Sequence, residues 1–310
     1  MERPNARTDP QWPDRCYSLY RRYLSAPTPC CVLRGTIFNQ SKVVMKISYI
    51  VASTEHGTLI VNRNDENSNE QYGVYGLGYN LLETGSFFKS DIDLLKDLVR
   101  IKKKGVAGKR PLSIIDCGAN IGVHTVELAR ELAGSGNVIA VEAQKHIFYA
   151  LCGNVAINNC FNVDARNVAV GAEDGIIKIP FIDYGKKSSF GSLELKVSES
   201  NEDIGQPVSY ESGYEVPLVR IDSLVPGPVD LIKIDVEGME AEVVYGGKAT
   251  LQKYHPVLFV EKIKSNLDGL TNSLKALGYE IIDLGPNILA VYGGDPDIVE
   301  ISERAALFSS

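Results

Sequence analysis

The chain has 310 residues, 44% of them hydrophobic and 23% charged. That is enough to bury the core of one large α/β domain with an extension, or of two small domains, and it excludes a disordered or fibrous chain. A formal net charge of −7 gives no global attraction for nucleic acid, and the basic run Lys102-Lys103-Lys104 with Lys109-Arg110 reads as a solvated helix end and loop.

The N-terminus, Met1-Glu2-Arg3-Pro4-Asn5, has no apolar signal core. Around Tyr17-Ser18-Leu19-Tyr20-Arg21-Arg22 a short helix is compatible with the pattern, without visible chemistry. Val43 to Ser53 and Thr58 to Asn62 are rich in Val, Ile and Thr and predict strands. The apolar stretch Val43 to Ala52 is short and carries Lys46, so no membrane span is expected. Cys16, Cys30, Cys31, Cys117, Cys152 and Cys160 form no C-x-x-C pair. Zinc is therefore not expected, and reduced thiols and a cytoplasmic location are. Asn62 to Glu70 is polar and reads as a mobile loop. Ser90-Asp91 caps a predicted helix with apolar positions Ile92, Leu94, Leu95, Leu98 and Val99. Residues 1–89 are taken as an extension with a β-rich segment, and 90–310 as the main domain.

After Pro111 strands alternate with helices. Leu112 to Ile115 ends at Asp116, and a helix follows from Val123 to Leu132. Val138 to Val141 ends at Glu142, with a helix over Phe148 to Asn158. Ala165 to Val170 is a third strand. Leu231 to Asp235 is a fourth, followed by a helix from Glu240 to Tyr245, and Val257 to Glu261 is a fifth. This alternation predicts an α/β fold, a Rossmann-like and mostly parallel sheet covered on both faces. Tyr279 to Asp283 and Ile288 to Tyr292, joined through Gly285-Pro286-Asn287, predict a C-terminal antiparallel hairpin. The 171–218 segment is long for a connection and reads as an insertion or lid bearing Tyr184, Lys186, Lys187 and Phe190.

Gly118 and Gly122 flank the turn out of the first strand, where a missing side chain lets backbone approach a ligand. The turn lacks the middle glycine of G-x-G-x-x-G, which makes room for a pyrophosphate. Ala119-Asn120 stands there instead. Asp116 would repel a diphosphate and attract the ammonium of a methionine moiety, directly or through water. Glu142, ending the second strand, is placed to accept hydrogen bonds from both ribose hydroxyls. Ala143, Asn167 and Val168 are assigned to the nucleoside, although Asn167-Val168-Ala169 serves equally well as plain core. The combined expectation is an S-adenosyl-L-methionine site, with S-adenosyl-L-homocysteine as product.

Asp116-Cys117-Gly118-Ala119-Asn120-Ile121-Gly122, Asn154-Val155-Ala156-Ile157-Asn158, Asn167-Val168-Ala169-Val170-Gly171 and Ile232-Lys233-Ile234-Asp235-Val236-Glu237-Gly238-Met239-Glu240 resemble the FkbM-type methyltransferase family over about residues 112 to 262. The resemblance implies a class I methyltransferase fold and methyl transfer to an oxygen of a sugar, glycan or secondary metabolite. Such a step must align the hydroxyl and remove its proton. Asp235 and Glu237 at the end of the fourth strand, and Glu261 at the end of the fifth, are the candidate bases. Lys233 shares a strand face with Asp235 and is assigned to holding a carboxylate ionised. A structural ion network is the alternative for these residues. Asp235 and Glu261 also stand where magnesium-dependent O-methyltransferases place ligands. Lys262 supplies an ammonium where a neutral ligand is needed, so no metal is expected. His124 and His146 read as helix residues rather than bases. The competing functions are an NAD-dependent oxidoreductase and a catalytically silent nucleoside-binding protein. The acceptor is a small molecule or glycan, with no nucleic acid partner, and its identity and the oligomeric state are not legible.

Overall fold

The computed structural model describes residues 47–69, 73–106, 109–198 and 201–308, all within one unit spanning Lys46–Ser310. A hairpin comes first, β1 (Tyr49–Thr54) with β2 (Gly57–Asn62), then a short pair, β3 (Asn67–Asn69) with β4 (Gly73–Tyr75). Helices α1 (Leu77–Thr84) and α2 (Lys89–Val106) follow. The part of the expected first strand before residue 47, the expected N-terminal helix and Cys16, Cys30 and Cys31 lie outside the described residues.

The alternating region then runs β5 (Leu112–Cys117), α3 (Val123–Glu131), β6 (Gly136–Val141), α4 (Lys145–Ile157) and β7 (Val163–Arg166). It continues through β8 (Ala169–Val170), β9 (Gly175–Pro180), β10 (Gly213–Val219) and α5 (Ile221–Leu224). Next come β11 (Leu231–Ile234), α6 (Glu240–Gly246), α7 (Lys248–Tyr254) and β12 (Val257–Glu261). The chain closes with α8 (Leu267–Ala276), β13 (Tyr279–Leu284), β14 (Asn287–Tyr292) and α9 (Ile298–Ala306).

Seven strands form the central sheet in the order β13-β14-β12-β11-β5-β6-β7. β7, β6, β5, β11 and β12 are parallel, and β14 and β13 are antiparallel. Period-two alternation sends neighbouring residues of one strand into different cores. Leu112 and Ile114 pack with Leu95 and Leu98 of α2, Val126 of α3 and Ile301 of α9. Ile115 and Cys117 pack with Val243 of α6, Leu251 of α7 and Leu270 of α8. The predicted helix positions Ile92, Leu94, Leu95, Leu98 and Val99 are all buried.

Two sequence expectations are corrected. The third strand is split. β7 joins the central sheet, whereas β8 pairs with β10 in a separate sheet ordered β8-β10-β9. The break falls at Asn167, whose amide donates to the carbonyls of Glu142 and Ala143 and so turns the chain out of the sheet. The 171–218 segment, expected as an insertion or lid, holds the antiparallel β9–β10 pair at its two ends. The expected mobile loop is anchored over 62–69, because Asn62 and Asp65 are buried. The Asp65 carboxylate accepts from the backbone N–H of Gly78 and of Phe190. The basic run is neutralised locally, with Lys102 paired to Asp295 and Asp297, Lys104 to Glu300 and Arg110 to Asp230.

The β1–β2 hairpin is anchored by polar side chains. Asn154 of α4 accepts from the Ile60 N–H and donates to Ile121 O. His56 Nε2 accepts from the Phe87 N–H at 3.0 Å, so Nδ1 carries the proton and donates to Glu127 at 3.0 Å. Lys96 donates to the other Glu127 oxygen at 2.9 Å. Burial opposes the Glu127 charge, but the hydrogen bonds from His56 and Lys96 outweigh it and hold the carboxyl down at about 2. Glu127→Ala is expected to lower the unfolding free energy by about 3 kcal/mol in urea denaturation, and a loss below about 0.5 kcal/mol would show the anchor to be inert. Because the carboxyl is held below its ordinary value, its contribution is full above that value and is lost as pH falls from there toward 2.

Candidate functional site

Parallel strands deliver their carboxyl ends to one rim. A cleft opens there, lined by Gly118, Asn120, Glu142, Ala143, Gln144, Val168, Gly191, Leu193, Leu195, Asp235, Glu237 and Met239 among others. Apolar side chains and a few convergent polar groups share this lining, the usual make-up of a small-molecule site.

The turn after β5 holds three residues at positive φ: Gly118 at 74°, Asn120 at 50° and Gly122 at 90°. At Gly118 an added Cβ would lie 1.7 Å from the Asp235 carbonyl oxygen. The β5 and β11 loops therefore touch backbone to backbone, which only glycine permits. Gly122 meets Leu151 instead, where a Cβ would come within 2.5 Å of its Cδ1. Gly122 and Ala119 thus support the turn from behind and do not line the cleft.

Glu142 is buried and accepts from the backbone N–H of Asn120 at 3.0 Å and of Gln144 at 2.7 Å. Burial raises its carboxyl to about 7 against these two hydrogen bonds. Each oxygen keeps acceptor capacity for a ligand hydroxyl. Gln144, which the sequence reading passed over, donates to Phe190 O at 2.8 Å and accepts from the Tyr184 hydroxyl at 3.0 Å. Ala143 and Val168 line the cleft as expected, whereas Asn167 spends its amide on the chain turn.

Asp116 was expected to attract a ligand ammonium directly or through water, and the structure does not bring it to the cleft lining, which closes the direct route. It is fully buried beneath the glycine turn and accepts from Thr125 Oγ1 at 2.6 Å. Its other oxygen stands 3.2 Å from Lys233 Nζ, an ion pair with no donor aligned on it. Lys233, also buried, donates to Gly118 O at 3.1 Å and pairs with Asp235 at 3.4 Å. Burial opposes the Lys233 charge, but Asp116 and Asp235 outweigh it and hold the ammonium above its ordinary value. Lys233 is thus a brace under the rim.

Asp235, Glu237 and Glu261 come together, with one carboxylate oxygen from each lying within 4.8 Å of the others. Glu237 adopts φ 55° and pairs with Lys264 at 2.7 Å. Burial first, then the Asp235 charge, raise Glu237 to about 8 against Lys264. Burial and the neighbouring Asp235 and Glu237 raise Glu261 to about 9. The group therefore holds at least one proton at neutral pH. Three carboxylates so spaced match the donor set of a divalent cation. The ammonium expected to disfavour one at Lys262 is engaged elsewhere, on Asp283 at 2.5 Å. The cations at the cluster are Lys233 and Lys264 instead.

Glu240, a motif residue given no role from sequence, is buried and accepts from the backbone N–H groups of Val236 and Gly238 and from Ser265 Oγ. It fixes the loop in which Glu237 and Gly238 both take positive φ. An acidic residue in the first turn of the helix following that loop was the signal available for it. His124 is buried with Nε2 unpartnered, and burial lowers its imidazole to about 4. His146 packs against the rings of Tyr149 and Tyr184.

The parallel sheet with its terminal hairpin, and a glycine turn facing an acidic second strand end, define a class I methyltransferase fold. The family description "Methyltransferase FkbM domain" matches residues 116–281, more than half of the chain, and the chain belongs to that family. "Methyltransferase 1" of Beauveria bassiana (strain ARSEF 2860) is 27% identical over 145 residues, covering 43% of this chain and 57% of the relative. The chain thus spans little more than half the length of that relative. Among solved structures, Methyltransferase FkbM from Methylobacillus flagellatus KT is 18% identical at a TM-score of 0.42, covering 60% of this chain and 46% of its own. Precorrin-6y C5,15-methyltransferase from Geobacter metallireducens GS-15 is 13% identical at a TM-score of 0.35, covering 65% of this chain and 86% of its own. Among the described residues, no helix is long and apolar enough to cross a membrane.

Proposed function

We propose that this chain is an S-adenosyl-L-methionine-dependent O-methyltransferase acting on a hydroxyl of a sugar, glycan or secondary metabolite. The observation that carries this reading is Glu142. It is a buried carboxylate on the cleft wall, held by the N–H groups of Asn120 and Gln144 with acceptor capacity to spare, which suits two vicinal ribose hydroxyls. The absence of a second glycine between Gly118 and Gly122 disfavours a pyrophosphate and hence NAD. Calorimetry with S-adenosyl-L-methionine and with NAD separates the readings, and binding of NAD alone would overturn this one. Binding of the former without turnover across a broad panel of hydroxyl acceptors would favour a silent binding protein.

Gly118 and Asn120 would hold the backbone side of the cofactor, Glu142 its ribose, and Ala143, Val168, Leu193 and Leu195 its base. When bound, it supplies an electrophilic methyl carbon whose bond to sulfur breaks as the bond to the acceptor oxygen forms. Asp235, braced by Lys233, receives the hydroxyl proton, and Glu237, paired with Lys264, shapes the acceptor edge beside it. Glu261 lies within reach to relay it. The acidic rim disfavours a polyanionic acceptor such as nucleic acid. The free thiols of Cys117, Cys152 and Cys160 suit a reducing, cytoplasmic setting.

The reaction is proposed to need no metal, because the ammonium groups of Lys233 and Lys264 already balance Asp235 and Glu237. Turnover is expected to survive exhaustive chelation unchanged. Complete loss restored by magnesium would make Asp235, Glu237 and Glu261 ligands instead.

A further inference from the structure

Lys264 lies just beyond β12, and nothing in the sequence marks it. Its ammonium has three N–H donors and three partners from three stretches of chain. These are the Glu237 carboxylate at 2.7 Å, the Glu202 carboxylate at 2.8 Å and the Ser192 carbonyl at 2.9 Å. The side chain is 14% exposed, so these bonds are sheltered from water in a way an ordinary surface pair is not. Two of the partners lead to the cleft. Glu237 is on its acceptor edge, and Ser192 sits between Gly191 and Leu193, both of which line it. Glu202 is itself fixed, taking the Tyr75 hydroxyl on one oxygen and donating its own N–H to Glu194.

We propose that Lys264 is a positioning residue that holds Ser192 and Glu202 against the cleft wall and, through the same ammonium, fixes the Glu237 carboxyl at the acceptor edge. This rests on the proposed cofactor reading. Placement of the cleft wall and of the acceptor edge are then set by one group. Were Ser192 and Glu202 to move away, Lys264 would lose two of its three partners. Glu237 would then share a less constrained cation while still facing Asp235 on its own loop, Glu240 on α6 and Glu261 on β12, with Lys233 beyond Asp235. A carboxyl among three others with its cation loosened holds its proton more firmly still.

The test uses the full chain and S-adenosyl-L-homocysteine, so that no acceptor need be known. Lys264→Met is expected to weaken its binding about tenfold in calorimetry and to remove hydrogen-exchange protection from residues 190–195. It should also move the carboxyl carbon titration of Glu237, assigned by comparison with Glu237→Gln, upward by about one pH unit or more. Lys264→Arg is expected to restore all three. Glu202→Gln, which removes one of the two carboxylate charges on Lys264 without touching the cleft, should weaken binding about threefold. Equal binding by Lys264→Met and the unsubstituted protein, or weakened binding with the Glu237 titration unmoved, overturns the proposal. If Lys264→Met does not fold, equal binding by Glu202→Gln overturns it instead. Failure of the unsubstituted protein to bind S-adenosyl-L-homocysteine sinks the functional reading itself, and is thereby distinguishable.

Discussion

Gly118→Ala is expected to abolish S-adenosyl-L-homocysteine binding and to lower the unfolding free energy by about 3 kcal/mol or more. The φ of 74° alone is costly for an L side chain. The larger effect is the collision, with the new Cβ 1.7 Å from the Asp235 carbonyl oxygen. That oxygen belongs to backbone, and the Asp235 N–H is itself bonded to Cys117 O at 3.1 Å, so the obstacle cannot rotate aside. Gly134→Ala is the control. Its φ is 71°, but nothing lies within 4 Å of the added carbon, so only the conformational cost remains, about 1 kcal/mol. Equal effects of the two substitutions would show that the contact between the β5 and β11 loops contributes nothing.

Glu142→Ala is expected to weaken S-adenosyl-L-homocysteine binding about a hundredfold, the value of two hydrogen bonds to a charged acceptor at about 1.5 kcal/mol each. The pH dependence gives an independent signature. Burial raises this carboxyl to about 7 in the ligand-free chain. The ionised form accepts both hydroxyls, and the protonated form sets an O–H against one of them. Affinity is therefore full above about pH 7 and falls as the solution is acidified through that value. In Glu142→Ala the dependence disappears together with the affinity. A variant that binds within about threefold of the unsubstituted protein, or that keeps the pH dependence, would remove Glu142 from the site.

The central sheet was legible because its parallel strands are short apolar runs buried on both faces, and Leu231 to Ile234 and Val257 to Val260 have no partly exposed position to blur the pattern. The terminal hairpin was legible from its turn. β9 and β10 were not, because Lys178, Glu215 and Pro217 stand at exposed positions between the apolar ones and break up the apolar signal. The split of the third strand depends on where the Asn167 amide finds carbonyls, a contact that strand propensity does not encode. In the site, Gly118, Asn120, Glu142, Asp235 and Glu237 were readable because strand ends fix where such residues point. Asp116 was misplaced because a carboxylate at a strand end can face the ligand or the core. Thr125 and Lys233, which draw it inward, are 9 and 117 residues away along the chain. Lys264, Gln144 and Leu193 enter from loops whose return to the rim is decided by tertiary packing alone.

The row Asp116, Lys233 and Asp235, whose first two members are buried, carries two carboxylates to one ammonium. On the proposed reaction the cofactor arrives with a positive sulfonium and leaves as a neutral thioether, and once the proton taken from the hydroxyl has passed to solvent the protein regains the charge it began with. A fixed surplus of negative charge therefore favours the reactant cofactor over its product. Turnover discharges the very feature that the row attracts, so spent cofactor is held less firmly than fresh, and the fold itself tilts the exchange toward the next cycle.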